Sequence, residues 1–212
     1  MTGDEGGIAG RIRQGAEILE VEVSEEALLK IGRYLEELDR WRHRINLVGP
    51  GSMEELLDRH VYDSLGVLRL LDLPEVQERT QRWLDVGTGA GLPGVICALA
   101  RPSSSWVLVE PLGKRVSWLK HITGTLEMDN VTVEHSRLED VQPRRWPGLV
   151  SRATFAPERW ASVGRDHAED NGLVLVTMGG TPSEDVLKGA WRVDRFTLPA
   201  SGAGRVNALL AG

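Results

Sequence analysis

Between Leu84 and Gly94 the chain reads LDVGTGAGLPG, and two glycine codes overlap within it. Gly89, Gly91 and Gly94 satisfy the G-x-G-x-x-G spacing that lets a backbone approach a dinucleotide pyrophosphate at a helix N-terminus. Asp85, Gly87, Gly89 and Gly91 give D-x-G-x-G-x-G, which suits a nucleoside carrying no phosphate. The acid separates the two chemistries. A carboxylate at Asp85 repels a pyrophosphate in a partly dry site and attracts a cation. S-adenosylmethionine carries an ammonium and a sulfonium, so Asp85 would serve near its methionine end while the glycines admit its body. Glu110 lies nineteen residues past Gly91, at the end of the next strand, where a carboxylate accepts the ribose hydroxyls of either ligand. Asp85 and the additional glycine favour the methyl donor, and the glycine spacing alone leaves the dinucleotide open.

These residues need a frame. Ser24 caps a helix whose apolar positions Leu28, Ile31, Leu35 and Leu38 share one face, with Glu25 and Glu26 at the positive end of its dipole; it runs to about Trp41. The stretch VGPGS breaks it. Ser52 and Glu55 then form a capping box for a second helix that turns Leu56, Leu57, Val61, Leu65 and Leu68 inward. After Arg79 the texture changes to short β-rich runs, WLDVG, WVLVE, VTVEH, GLVSR and GLVLVTM. Helical segments at about 93–101, 113–127 and 157–169 separate most of them. That alternation predicts an α/β fold, a parallel sheet covered on both faces by helices, with an N-terminal helical extension. A helix at 183–190 and a hairpin of Val193–Leu198 with Val206–Leu210 would close it. The division expected is 1–20 as a flexible lead, 21–78 as a helical unit and 79–212 as the Rossmann-like domain. Pro93 suits the first turn of the helix after the glycines, which places Gly94 inside that helix.

Composition narrows the function classes. With 212 residues and 41% of them apolar, the chain can bury one good core. The N-terminus lacks an apolar central segment, and the longest apolar stretch, Val95 to Ala100, is far short of the roughly 20 residues that span a bilayer. A cytoplasmic protein without membrane contact is expected. Cys97 is the only cysteine and reads as a small buried hydrophobe, and the five scattered histidines offer no metal spacing. The formal net charge of -6 argues against a general nucleic-acid coat, so RNA would have to be met by a local patch. Arg40, Arg42 and Arg44 around Trp41 form one candidate, and Arg144 with Arg145 beside Trp146 another; taken alone, each reads more simply as solvated surface. Tryptophans 83, 106, 118 and 191 are expected in the core.

LDVGTGAGLPG, followed by LVEPLGKRVSWLK, SRLED and SRA, resembles the family of small-subunit ribosomal RNA methyltransferase G, also called glucose-inhibited division protein B. Upstream, RINLV and RHVYDSL are similar to the same family, so the likeness runs from about Asp39 to Ala153. The resemblance implies a class I S-adenosylmethionine-dependent methyltransferase fold. It also implies methyl transfer to N7 of a guanine in the 530 loop of 16S rRNA, with that RNA or the small ribosomal subunit as partner; a monomer is favoured, the sequence leaving the oligomeric state open. By the same resemblance Gly87 and Leu92 touch the donor, beside Asp85, Gly89 and Gly91 of the loop. Glu110 holds the ribose, Leu138 and Glu139 border the adenine, and Arg152 reaches the site from the fourth strand. Asn46, Arg59, His60 and Arg137 form the substrate-side group.

Guanine N7 is a lone pair without a proton, so its methylation needs alignment and no general base. The product base is cationic, and Asp63 is the candidate carboxylate to stabilise it. Plainer readings stand beside these. His60 and Asp63 would be a local polar pair, Arg152 would pair with an acid, Lys114 and Arg115 would be ordinary first-turn residues, and Asn46 would only end its helix. The chain departs from the family at Met178-Gly179, where Lys-Gly is usual, at Asn46-Leu47-Val48 in place of Asn-Leu-Thr, and in its C-terminal GAGRVNALLAG. Met178 and the acidic balance keep open a methyltransferase fold that binds without turnover, the Gly89, Gly91, Gly94 code keeps open a nucleotide-dependent oxidoreductase, and a small-molecule methyltransferase remains a same-fold alternative.

Overall fold

The computed structural model describes residues 7–212. Seven strands, β1 (Arg82–Val86), β2 (Ser105–Val109), β3 (Val131–Glu134), β4 (Trp146–Ser151), β5 (Ala168–Gly179), β6 (Arg192–Thr197) and β7 (Gly204–Ala211), form one sheet in the order β3-β2-β1-β4-β5-β7-β6. β1 to β5 are parallel, and β7 runs antiparallel to both β5 and β6, so the terminal hairpin forms as expected. The chain steps outward through β2 and β3 on one side of β1 and through β4 and β5 on the other. Such a reversal opens a crevice at the carboxyl end of β1, and there the glycine loop begins.

The pleat sorts the strand side chains into two cores. Leu84, Val86, Val174 and Val176 face one side; Trp83, Leu173 and Leu175 face the other. The first side is covered by α8 (Pro157–Asp166) and α9 (Glu184–Lys188). The second side carries the larger layer: α1 (Ile8–Ile18), α2 (Glu25–Ile45), α3 (Met53–Leu56), α4 (Asp63–Leu71), α5 (Pro74–Gln77), α6 (Gly94–Ala100) and α7 (Gly113–Thr125). Leu35, Leu38, Leu65 and Leu68 of the helical unit share one continuous core with Ile96, Leu119 and Leu175, so these helices are a layer of the same body.

Three expectations need correction. Residues 1–6 of the expected lead lie outside the described residues, but most of the remainder is helix α1, docked on the layer. Its glycines hid it: a Cβ on Gly15 would sit 2.1 Å from Cε1 of Tyr62, so glycine is what lets the helix approach that ring. Tyr62 Oη also donates to the Arg11 carbonyl at 2.7 Å. The second helix, read as regular from Ser52 onward, widens into a π turn at Leu57–Tyr62 between α3 and α4. Trp83, Trp106 and Trp118 are buried as expected, but Trp191 is only half-buried, with the guanidinium groups of Arg79 and Arg192 4.2 and 4.6 Å from its ring centre. Among the described residues, no helix is long and apolar enough to cross a membrane.

Candidate active site

The four glycines of the loop divide by what surrounds them. A Cβ on Gly91 would stand 2.5 Å from Val95 Cγ2, and one on Gly94 would stand 2.4 Å from Leu108 Cδ2, so both serve the packing of α6 against its own loop and the sheet. Gly89 differs. It has φ +60, and a Cβ there would meet nothing closer than 3.9 Å, which marks the side from which a ligand can lie against the backbone.

Glu110, just after β2, is buried beside that face. Its Oε2 accepts the Gly89 N–H at 3.0 Å and its Oε1 accepts the Leu112 N–H at 3.0 Å, with Arg115 Nη1 3.9 Å away. Each carboxylate oxygen keeps a further lone pair, so the acid sits beside Gly89 with acceptor capacity for a diol. Beneath the loop, the Ala90 carbonyl accepts from Tyr34 Oη at 3.0 Å and from Trp118 Nε1 at 2.9 Å, tying the loop to α2 and α7 at one atom.

Asp85 corrects the expectation of a carboxylate facing the ligand. It is fully buried, and its Oδ2 accepts from Thr88 Oγ1 at 2.7 Å and from the Gly94 N–H at 2.9 Å. Burial pushes its carboxyl up to about 6, against the two hydrogen bonds that hold it down. Its Oδ1 is buried without a partner, the kind of atom a bound cation would satisfy. The same geometry decides between the glycine codes. The N–H of Gly94 is taken by Asp85 and that of Gly89 by Glu110, while Gly91, Leu92 and Val95 donate to loop carbonyls. Pro93 has no N–H to offer. A pyrophosphate therefore finds its helix N-terminus already held by a carboxylate, whereas a cationic nucleoside without phosphate fits.

Of the substrate-side residues, Arg59 and His60 lie on the π turn. Asp63 follows it and is held by two arginines: Oδ2 accepts from Arg152 Nη1 at 2.9 Å and Oδ1 from Arg205 Nε at 2.9 Å. Arg152 also donates to the Arg59 carbonyl at 3.3 Å. Arg59 itself points outward and pairs with Glu55 at 2.9 Å. His60 is half-buried with Nδ1 unpaired; burial, then the charges of Arg152, Arg59 and Arg42, push it down to about 4, so it is neutral at pH 7. The expected role of Asp63 as an open carboxylate facing a cationic base changes here, because two guanidinium groups already outweigh its single charge. Asn46 caps α2 in the left-handed conformation, φ 51, and its carbonyl accepts from Arg115 at 3.4 Å. Leu138 is buried, while Arg137 and Glu139 are exposed around the short turn after β3; no hydrogen bond links them to the glycine loop.

Sequence reasoning missed Arg205, Tyr34 and the π turn. Arg205 carries no motif, although its position in the departing GAGRVNALLAG run was a signal that the region differs. Met178, in place of the expected Lys, is 5% exposed and packs in the core beside α8. In the register of β5 and β7, Gly179 stands opposite Arg205, whose Nη1 lies 3.4 Å from where a Gly179 Cβ would be. So the cations at this end of the sheet are Arg205 and Arg152. The two arginine clusters do not share a face. Arg40, Arg42 and Arg44 end α2 near the glycine loop, whereas Arg144 and Arg145 precede the central strand β4, at the amino ends of the parallel strands and away from that loop.

Comparison with known proteins follows the same line. Residues 27–194 match the sequence model of the family described as rRNA small subunit methyltransferase G. The ribosomal RNA small subunit methyltransferase G of Pseudomonas entomophila (strain L48) is 33% identical over 180 residues, 84% of this chain and 81% of that one. Its counterpart from Bordetella avium (strain 197N) is 30% identical over 190 residues, 89% and 85% of the two chains. Among solved structures, the magnesium protoporphyrin IX methyltransferase of Synechocystis PCC 6803 with bound SAM aligns with TM-score 0.59 at 12% identity, covering 90% of this chain and 99% of that one. The N-terminal domain of human METTL16 in complex with SAH aligns with TM-score 0.55 at 12% identity, covering 98% and 95%. Both structural likenesses speak to the fold.

Proposed function

Because the chain belongs to the rRNA small subunit methyltransferase G family, an S-adenosylmethionine-dependent enzyme class acting on the small-subunit ribosomal RNA, we propose that it methylates N7 of a guanine in the 530 loop of 16S rRNA. One observation supports the donor most directly: Asp85 occupies the N-terminus of α6 and leaves the Gly89 backbone as the open face with the buried Glu110 carboxylate beside it, an arrangement that suits a nucleoside with a cationic tail.

When bound, S-adenosylmethionine supplies an electrophilic methyl group. The chain's residues do the rest by positioning. Glu110 and the Gly89 backbone orient the nucleoside, with Leu92 and Leu138 as apolar walls and Glu139 at the adenine edge. Asp63 fixes the guanidinium of Arg152 between the donor loop and the π turn. Arg59, Asn46 and Arg137 are the outward residues available to the RNA. The neutral His60 imidazole neither takes nor gives a proton at pH 7, in keeping with a nucleophile that has no proton to lose. Holding nucleophile and methyl carbon in line is worth about 7 to 11 kcal/mol, so a site without a general base is sufficient.

The test is transfer of a tritiated methyl group to small ribosomal subunits from cells lacking their own guanine-N7 enzyme, with Gly89→Asp as the blank. Label in the 530-loop guanine is the expected result. Donor binding without label in the subunit would overturn the rRNA assignment, and label in a different base would overturn the site.

A further inference from the structure

The electrostatics of the helical layer are uneven. Residues 37–46 and 113–125 together hold six lysines and arginines against two carboxylates, in a chain whose totals are 25 and 31. Helix α7 contains no acidic residue at all. The two segments lie side by side and antiparallel: Asn46 meets Arg115 at one end, and Glu37 meets His121 at the other. Trp41 locks the seam between them, 6.4 Å from Trp118 and 5.3 Å from His121 between ring centres. The Arg44 guanidinium lies 5.5 Å from the Trp41 ring centre.

Both carboxylates of the seam are already used. Glu37 is taken by Arg40, by Trp41 Nε1 and by His121, and Asp39 is taken by Arg42, which is itself buried and bonded to the carbonyls of Gly49 and Gly51. Arg44, Lys114 and Lys120 remain exposed to solvent. The upper end of the seam is continuous with the donor site, since Arg115 faces Glu110 and Trp118 holds Ala90. Lys114 precedes Trp118 by four residues and His121 by seven, which sets it on the seam side of α7, whereas Lys120, two residues from the one and one from the other, turns away from it.

We propose that this seam, with Arg44 and Lys114 as its exposed cations, is the docking surface for the phosphate backbone of the RNA substrate. The proposal rests on the rRNA methyltransferase reading for its partner. Charge complementarity argues for it: an acidic protein must concentrate its contacts with a polyanion, and the seam is a local excess of cations that leads into the reactive crevice. The other arginine cluster lacks this continuity, because Arg144 and Arg145 lie at the amino ends of the parallel strands, opposite the crevice, and Arg145 faces Asp170.

Filter binding of the full chain to unmodified small subunits and to 16S rRNA, over a series of salt concentrations, tests this. The variant is Arg44→Gln with Lys114→Gln, and the control is Arg144→Gln with Arg145→Gln. The seam variant should weaken RNA binding about tenfold near physiological salt and flatten the plot of log affinity against log salt by about 0.7 for each phosphate that is no longer neutralised. Its KM for RNA should rise while kcat and donor affinity stay as in the parent. RNA affinity and slope equal to the parent's would overturn the proposal, as would equal weakening by the control pair or a parent that binds no RNA. A parent that binds RNA through the seam yet transfers no methyl group would overturn the catalytic reading and uphold the seam.

Discussion

Asp63 and Arg205, 142 positions apart in the chain, meet at 2.9 Å, and the second oxygen of the same carboxylate takes Arg152 at the same distance. One carboxylate thus holds two guanidinium groups side by side at the mouth of the crevice. All three side chains are less than a quarter exposed, so the pairing is shielded from solvent far more than a surface ion pair. Asp63→Asn keeps the volume and removes the charge, leaving two cations to repel each other. It should lower kcat about 10- to 100-fold through misplacement of Arg152. It should also cost roughly 1 to 3 kcal/mol of stability. Donor affinity should be unchanged, and Asp63→Glu should recover part of the loss. Single-turnover kinetics with calorimetric donor binding checks this; unimpaired kcat in Asp63→Asn removes the positioning role.

Gly89 and Gly94 should respond oppositely to substitution. At Gly89 a side chain finds open space but a left-handed backbone, so Gly89→Ala should cost only about 1 to 2 kcal/mol of stability while sharply weakening the donor. At Gly94 the added methyl group would press on Leu108 and on Asp85, so Gly94→Ala should destabilise the fold by at least as much as a typical overpacked core, about 1 to 3 kcal/mol. Thermal unfolding with and without donor separates the two. A Gly89→Ala protein that gains as much stability from the donor as the parent would refute the assignment of that face.

Asp85 and His60 titrate in opposite senses. Burial holds Asp85 at about 6 in place of 3.8, and burial with neighbouring arginines holds His60 at about 4 in place of 6.5. Between about pH 4 and 6 the folded Asp85 keeps a proton that the unfolded chain has lost, so its contribution to stability falls as pH rises. The folded His60 lacks a proton that the unfolded chain has gained, so its contribution is lost as pH falls. The two offset each other across this window. Asp85→Asn should therefore expose a stability that climbs with pH, and His60→Gln one that declines. Urea unfolding at pH 4, 5 and 6 reads the slopes; parallel profiles for parent and both variants would contradict the arrangement.

The sheet was legible because burial on both faces leaves continuous apolar runs such as GLVLVTM, which polar and glycine-rich breaks delimit cleanly. The glycine loop after β1 was legible through its glycine spacing. What the spacing withheld was direction: Asp85 and Glu110 both end strands, and only packing shows that one turns beneath the loop and the other lies beside Gly89. The π turn was hidden because LDRHVY carries ordinary helix formers, and the widening depends on partners far away in sequence, Arg152 on the Arg59 carbonyl and the chain at Ala200 and Ser201 on Asp58. Helix α1 was masked by Gly15, whose missing side chain reads as flexibility until the Tyr62 ring beside it is seen. Trp191 followed a strand pattern, but β6 is an edge strand, where a large ring can be covered by guanidinium groups as well as by a core.

The shared carbonyl of Ala90 also bears on modularity. Its two donors come from α2 and α7, which lie on either side of the division at residue 79 that the sequence suggests. A fragment beginning at residue 79 would keep all four loop glycines and Glu110 and lose the Tyr34 tether, the Asn46 acceptor for Arg115 and the Asp63 clamp. The helical layer is therefore not an accessory that a recombinant design can exchange for another RNA-binding module. Grafting new specificity onto this scaffold has to retain α2 and the π turn and vary only their outward residues.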